Sequence, residues 1–404
     1  MEVKLGYKQT EVGAIPADWQ VSTLGETCVF ENGDRGINYP SPASFARTGV
    51  PFVNAGHVGE GHINRNDMDY ITRQAYDRLG AGKIDTGDIL FCLRGSLGKF
   101  GVVDPDFGEG AIASSLVIVR PRSSSLRVDY LSYYFSSSPC ARMIGKWSGG
   151  AAQPNLGAQD LARFVFPAPP LLEQRAIATA LSDVDALLGT LDRLIAKKRD
   201  LKQAAMQQLL TGQTRLPGFH GEWEVKALGD VANIKTGSRN NEDKVEDGQY
   251  PFFVRSAVIE RINSYSHDCE AILVPGEGRI GAIFHYINGR FDVHQRVYAI
   301  TQWKPKISAK FIYLYLSKNF GAWAMQNTVK ATVDSLRLPT FQTFEMKIPP
   351  TLEEQTAIAA VLSDMDAEMA ALMQRLAKTR AVKQGMMQEL LTGRTRLVVA
   401  EVAA

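Results

Sequence analysis

An internal duplication constrains this chain more than any other feature. Residues 169–216 read PPLLEQRAIATALSDVDALLGTLDRLIAKKRDLKQAAMQQLLTGQTRL, and residues 350–397 read PTLEEQTAIAAVLSDMDAEMAALMQRLAKTRAVKQGMMQELLTGRTRL. They align without a gap at an offset of 181, with 27 identities in 48 positions. A segment copied this faithfully must be housed twice by one fold. A weaker repeat at offset 204 matches Trp19-Gln-Val-Ser-Thr-Leu-Gly25 to Trp223-Glu-Val-Lys-Ala-Leu-Gly229. Pro51-Phe52 then matches Pro251-Phe252, and the Arg94–Gly98 loop matches Gly276–Gly281. The order is therefore variable, near-identical, variable, near-identical. Thr10–Trp19 aligns with Thr214–Trp223, so the start of the chain reads as the continuation of its end. That predicts a circular, pseudo-two-fold arrangement with the two ends close together.

The near-identical segments predict long helices. Each starts after a proline pair (Pro169-Pro170, Pro349-Pro350) and stops at Leu-Leu-Thr-Gly (Gly212, Gly393). About 40 proline-free residues give roughly 60 Å of helix at ~1.5 Å per residue. Ile177, Leu181, Val184, Leu188, Leu191 and Ile195 alternate at spacings of 4 and 3. So do Ile358, Leu362, Met365, Met369, Leu372 and Leu376. This a/d seam predicts an antiparallel pair, with Lys202 and Lys383 interrupting it at the same place. Leu187, Leu194 and Leu201 predict a second apolar face on the first helix. Shared polar positions (Gln174/Gln355, Asp185/Asp366, Gln203/Gln384) are expected to lie on the surface, offered to two copies of one partner.

The variable segments carry short β-like runs separated by Gly- and Asn-rich turns, and each ends in an aromatic helix. In the first, Tyr130, Tyr133 and Tyr134 fall at helical spacing; in the second, Phe311 and Tyr315 do. Such aromatics fit a helix packed on a sheet better than a base-stacking platform. The candidate ligand contacts are in loops. Arg35 and the Ser238-Arg239 pair follow the first strand of each segment. Arg94, Ser96 and Lys99 match a loop that holds Arg279. His294, Gln295 and Arg296 form a polar run. Gln153 and Asn155 match Lys330 and Ser335 ahead of the long helices. Glycine admits close backbone approach to phosphate, and arginine can clamp phosphate or read guanine with two hydrogen bonds.

Composition narrows the class. With 45 Lys plus Arg against 43 Asp plus Glu, the formal charge is only +2, so any polyanion contact must be local. The four cysteines form no C-x-x-C pair, and the six histidines no H-x-x-x-H pair, which argues against zinc. There is no phosphate-cradling G-x-x-x-x-G-K-[ST] loop, no Asn/Asp-Pro-Pro-aromatic tetrad, and no Pro-Asp followed by a nearby Glu-x-Lys. No run reaches ~18 apolar residues, and the N-terminus has no apolar core, so a cytoplasmic chain without a membrane segment is expected.

The Pro-Pro-Leu-Leu-Glu173-Gln174-Arg-Ala-Ile177 start, the late Leu-Leu-Thr-Gly, their duplication, and Ile-Pro-Ala-Asp-Trp19 before Leu-Gly resemble the specificity subunit of type I restriction–modification systems. The resemblance covers essentially the whole chain. It implies an α+β fold: two mixed α/β target recognition domains separated by two long antiparallel coiled-coil helices. The expected boundaries are 1–166 and 217–347 for the recognition domains, with 167–216 and 348–404 for the spacer helices. Each recognition domain would read one half of a bipartite, asymmetric site in double-stranded DNA. The helices would set the gap and dock two methylation subunits, with restriction subunits joining the complex. Adenine N6 methylation, S-adenosylmethionine, ATP and Mg²⁺ would belong to those partners, with no cofactor in this chain. The near-neutral charge implies that the methylation subunits supply much of the phosphate contact. Two other readings stay open: a divergent methyltransferase or nuclease, discriminated by cofactor binding to the isolated chain, and a helical scaffold or decoy that binds proteins, discriminated by failure of its complexes to bind DNA.

Overall fold

The computed structural model describes residues 5–122, 125–148, 155–328 and 335–397. Two long helices, Leu171–Leu209 and Leu352–Leu390, are each 39 residues, roughly 58 Å at ~1.5 Å per residue. Gly212 and Gly393, just past their ends, have φ of 72° and 69°, left-handed geometry that suits a glycine stop. Contacts divide the chain within these helices. One compact body comprises residues 1–190 and 376–404; the other comprises 191–375. Each body thus holds one mixed α/β domain and one half of each long helix.

In the first body, four antiparallel strands run in the order Phe100–Val102, Ile89–Cys92, Leu116–Pro121, Cys28–Asn32. A second sheet contains Val50–Val53, which pairs in parallel with Ala111–Ile112. The strand Ile89–Cys92 is buried along its whole length, which explains its continuous apolar run. The helix Val128–Phe135 lays Tyr130, Leu131, Tyr134 and Phe135 into the core. Here the aromatics are packing residues, as the helical spacing predicts. Tyr130 and Tyr134 send their hydroxyls to the carbonyls of Pro167 and Val165.

The second body has a six-stranded sheet in the order Asn233–Thr236, Val297–Thr301, His267–Pro275, His285–Val293, Tyr250–Phe253, Glu260–Ile262. Phe252 pairs in parallel with Asp292, as Phe52 does with Ala111 in the first body. Its aromatic helix spans Ala309–Gln326, well beyond the Phe311 and Tyr315 that marked it. Gly321 does not break it: the missing side chain lets Gly281 pack against the helix, where a Cβ on Gly281 would lie 2.8 Å from the Gly321 Cα.

The long helices pair antiparallel in each body, and the shared polar residues explain how. Gln174 and Gln355, expected as part of a common outer face, are buried, as are the preceding Glu173 and Glu354. This corrects the surface assignment of Gln174 and Gln355. Gln174 caps loop backbone: its Nε2 donates to the carbonyls of Ser125 and Pro169, and its Oε1 accepts from the Arg127 N–H. Gln355 does the same with Lys306, Pro349 and Ser308. Glu173 accepts from Arg396 Nε at 2.6 Å and Nη2 at 2.7 Å, and from Trp19 Nε1 at 2.8 Å. Glu354 is paired to Arg215 Nε and Nη2 in the equivalent way, but the Trp223 indole N–H, the counterpart of Trp19's, finds no partner among the described residues. Lys383 meets Asp185 in one body and Lys202 meets Asp366 in the other. The seam lysines are thus neutralised by the repeated aspartates. Each copy of the repeat satisfies the charges of the other, which accounts for much of their likeness with no external partner. Only Gln203 and Gln384 of the shared set are exposed.

The seam itself is graded. Ile177 and Leu181 are sealed in the first domain's core beside Leu390 and Leu391, and Ile358 and Leu362 in the second beside Leu209 and Leu210. Leu191 and Ile195 are buried, whereas Val184, Leu188, Met365, Met369, Leu372 and Leu376 are half-buried. Leu187, Leu194 and Leu201 are exposed.

The ends of the chain meet as the circular reading predicts. Tyr7 Oη donates to the Gly393 carbonyl at 2.8 Å, and Arg396 grips Asp18 through two nitrogens at 2.9 Å. The guanidinium of Arg396 holds the Asp18 carboxyl below its ordinary range.

Candidate nucleic-acid interface

The two domains share a backbone framework that can be followed bond by bond. The Ala113 N–H donates to Val53 O, and the His294 N–H to Phe253 O. Leu93 N–H donates to Ser115 O, and Gly276 N–H to Arg296 O. Leu156 N–H donates to Leu93 O, and Leu336 N–H to Gly276 O. Gly33 and Gly237 each lie against the end of a strand distant in the chain: a Cβ would sit 2.8 Å from the Ile112 carbonyl oxygen or on top of that of Val293. Ala113-Ser114-Ser115 therefore occupies the place of His294-Gln295-Arg296, Arg94 that of Glu277, and Ala55 that of Arg255. The frame is kept and its side chains are exchanged.

In the first body, the structure brings Arg94, Ser96 and Lys99 together on the turn between two core strands. Arg94 is exposed and its Nη2 reaches the Ser114 carbonyl at 3.3 Å. Asn155 is exposed beside this turn, brought there by the Leu156–Leu93 bond. Arg35 is exposed on a separate loop, where its N–H bonds Asp34. Gln153 lies outside the described residues.

In the second body, Arg239, next to Ser238, bridges His294 of the His294-Gln295-Arg296 run; a groove of about 370 Å³ is lined by Asn241, Arg255, Ser256, Glu260 and His294 among others. Gln295 N–H donates to Arg239 O, and its side chain bonds Asn240. Ser335 bridges Glu277, and Arg279 is exposed two residues beyond Glu277. Lys330 lies outside the described residues. Arg239 is largely a scaffold group: its Nε bonds Asp292, which is fully buried. Burial opposes the Asp292 charge, but hydrogen bonds from Ser264, Ser266, the Val293 N–H and Arg239 outweigh it and hold the carboxyl below its usual range. Burial, with Arg255 and Arg296 nearby, pushes the His294 pKa down and favours the neutral imidazole. Its Nδ1 accepts the Arg296 N–H, which leaves the proton on Nε2.

Arg255 and Glu277 were not selected from sequence. The Pro51-Phe52/Pro251-Phe252 match held the signal, since it places Arg255 opposite Ala55. Among the described residues no cluster of three or more His, Cys, Asp or Glu could hold a metal ion, and no helix is long and apolar enough to cross a membrane.

Two domains on one frame with different side chains at matching loops define a two-module recognition protein. The sequence profile of the type I restriction modification DNA specificity domain matches twice, at residues 16–197 and 220–379. The chain belongs to this family, as a type I specificity subunit with two DNA specificity domains. It is 25% identical over 431 residues to a protein described as the MjaX type I restriction enzyme specificity subunit of Methanocaldococcus jannaschii, spanning 97% of each chain. It is 29% identical over 172 residues to the EcoDI specificity subunit of Escherichia coli, spanning 42% of this chain and 37% of that one. The crystal structure of a type I S subunit from M. genitalium superposes with a TM-score of 0.62 at 15% identity, covering 97% and 98% of the two chains. The HsdS subunit of Thermoanaerobacter tengcongensis gives 0.53 at 18% identity, covering 94% and 98%.

Proposed function

We propose that each domain reads one half of a bipartite, asymmetric site in double-stranded DNA. The paired helices set the unread gap between the halves and dock two methylation subunits, which restriction subunits join. The chain contributes recognition and no catalytic group. S-adenosylmethionine, ATP and Mg²⁺ belong to the partners, and the complex works in the cytoplasm on adenine N6. The observation that carries this reading is the shared frame with exchanged side chains at Arg94/Glu277, Ser115/Arg296 and Ala55/Arg255. A reader duplicated and then diverged on its loops alone is what two unlike half-sites require. The exposed Leu187, Leu194 and Leu201 supply apolar surface for a docked partner.

The test is a methylome. The chain is co-expressed with its neighbouring methylation subunit in a methylation-free host, and N6-methyladenine is mapped by long-read sequencing. The expected result is a two-part asymmetric motif with a fixed gap, of which swapping residues 20–165 changes only one half. An intact complex, verified by mass, that leaves no such motif would overturn the proposal and favour a protein-binding scaffold.

A further inference from the structure

The arginines of the second domain are of two kinds. Some are consumed by the protein: Arg239 bonds the sealed Asp292, and Arg261 donates to the carbonyls of Gly248 and Gln249. Arg255 and Arg296 differ. Each approaches Glu277 through Nη1, at 3.3 Å to Oε2 and 3.4 Å to Oε1, and each side chain is about half exposed (51% and 53%). One carboxylate thus splints two guanidinium forks, and among the described residues the Nε and Nη2 of each fork have no hydrogen-bond partner. Neither makes another ion pair among the described residues.

The groove beside them is also lined by His294, whose Nδ1 is taken by the Arg296 N–H, and by Glu260, which is paired with Lys244. A site rich in donors selects a base edge rich in acceptors. In the major groove guanine offers N7 and O6, two acceptors side by side, whereas adenine pairs one acceptor with a donor. A phosphate also accepts, but the carboxylate between the arginines argues against one. Glu277 removes a full charge from the cluster and repels an anion, while it fixes the direction of both forks. Direction serves base reading, and net positive charge serves backbone binding. At the equivalent positions the first domain has Ala55, Arg94 and Ser115, so it has no such splint.

We propose that Arg255 and Arg296, splinted by Glu277, read guanine in the half-site taken by the second domain. This rests on the DNA-reading function above. The experiment is the same methylome, run on the complete complex with R255A, R296A, R255K, R296K and E277Q, each verified as an intact complex by mass. The wild-type motif should hold at least one G·C pair in the half that a swap of residues 20–165 leaves unchanged. The alanine variants should admit other bases at that pair, with discrimination falling roughly 5- to 150-fold, the range for a lost bidentate contact. The lysine variants, which lack the fork, should relax the same position where alanine prevents assembly, and E277Q should relax it more weakly. The first half should stay intact. A uniform loss at all sites with the motif unchanged would mark phosphate contacts and overturn the proposal. So would unchanged methylation, or relaxation at an A·T pair. Absence of any bipartite motif from the wild-type complex would instead refute the underlying function.

Discussion

Arg396→Met tests how the first body is closed. Arg396 is one of two groups that satisfy Glu173, a carboxylate only 2% exposed; the other is the Trp19 indole. Removing the guanidinium leaves that carboxylate buried with a single donor. Breaking a buried pair from one side costs about 3–5 kcal/mol, far more than the same change at the surface. At about 2–4 °C per kcal/mol for a body of this size, the midpoint should fall by about 6–20 °C. The double variant Glu173→Gln/Arg396→Met removes both charges and should recover about 2 kcal/mol or more of that loss, as coupled partners do. Thermal unfolding read by hydrogen exchange of peptides from each body separates the effect, because the second body keeps its own Arg215–Glu354 pair. A loss below about 1 kcal/mol, or a double variant no more stable than the single, would refute the claim that this pair fastens the end of the chain.

Two glycines of the second long helix region should respond with opposite signs. Gly393→Ala places a Cβ 2.4 Å from Pro16 at a positive φ and should destabilise by more than about 1 kcal/mol, whereas Gly385, with nothing within 4 Å, should gain about 0.5–1 kcal/mol on becoming Ala; equal signs in denaturant melts would contradict the packing at the Trp19 corner. Leu181→Ala should cost about 2–5 kcal/mol and Leu187→Ala less than about 0.5, since the first is sealed in a core and the second is exposed. Acid should weaken the second body. His267, His285 and His294 all have pKa values lowered by burial, so the unfolded chain binds their protons more readily. That stability is present above about pH 6.5 and falls as the pH drops towards the folded values. His294→Asn should flatten part of the slope, and an unchanged slope between pH 7 and 5 would show that His294 titrates normally.

Much of this was legible because it depends on spacing. The helix limits followed from Pro169-Pro170 and Gly212, and the aromatic helices from the positions of Tyr130 and Tyr134, since helical periodicity is a property of neighbours in sequence. The strand His285–Val293 escaped notice: its Asn288-Gly289-Arg290 centre is polar, and its end at Asp292-Val293 pairs with distant Phe252 and Phe253. Gln174 and Gln355 misled for a related reason. A buried amide looks like any surface amide until the carbonyls that hold it are known.

The sequence by itself determined that one reader and one helix occur twice, that the halves are unlike, and that the chain's start continues its end, because duplication leaves identities that need no coordinates. Only the tertiary structure decided which repeated residues face inward and which arginines remain free to bind. Arg239 and Arg296 are equally plausible readers as letters. Buried Asp292 is the charge partner of one and Glu277 merely steers the other, and that difference arises from strands brought together across many residues of chain.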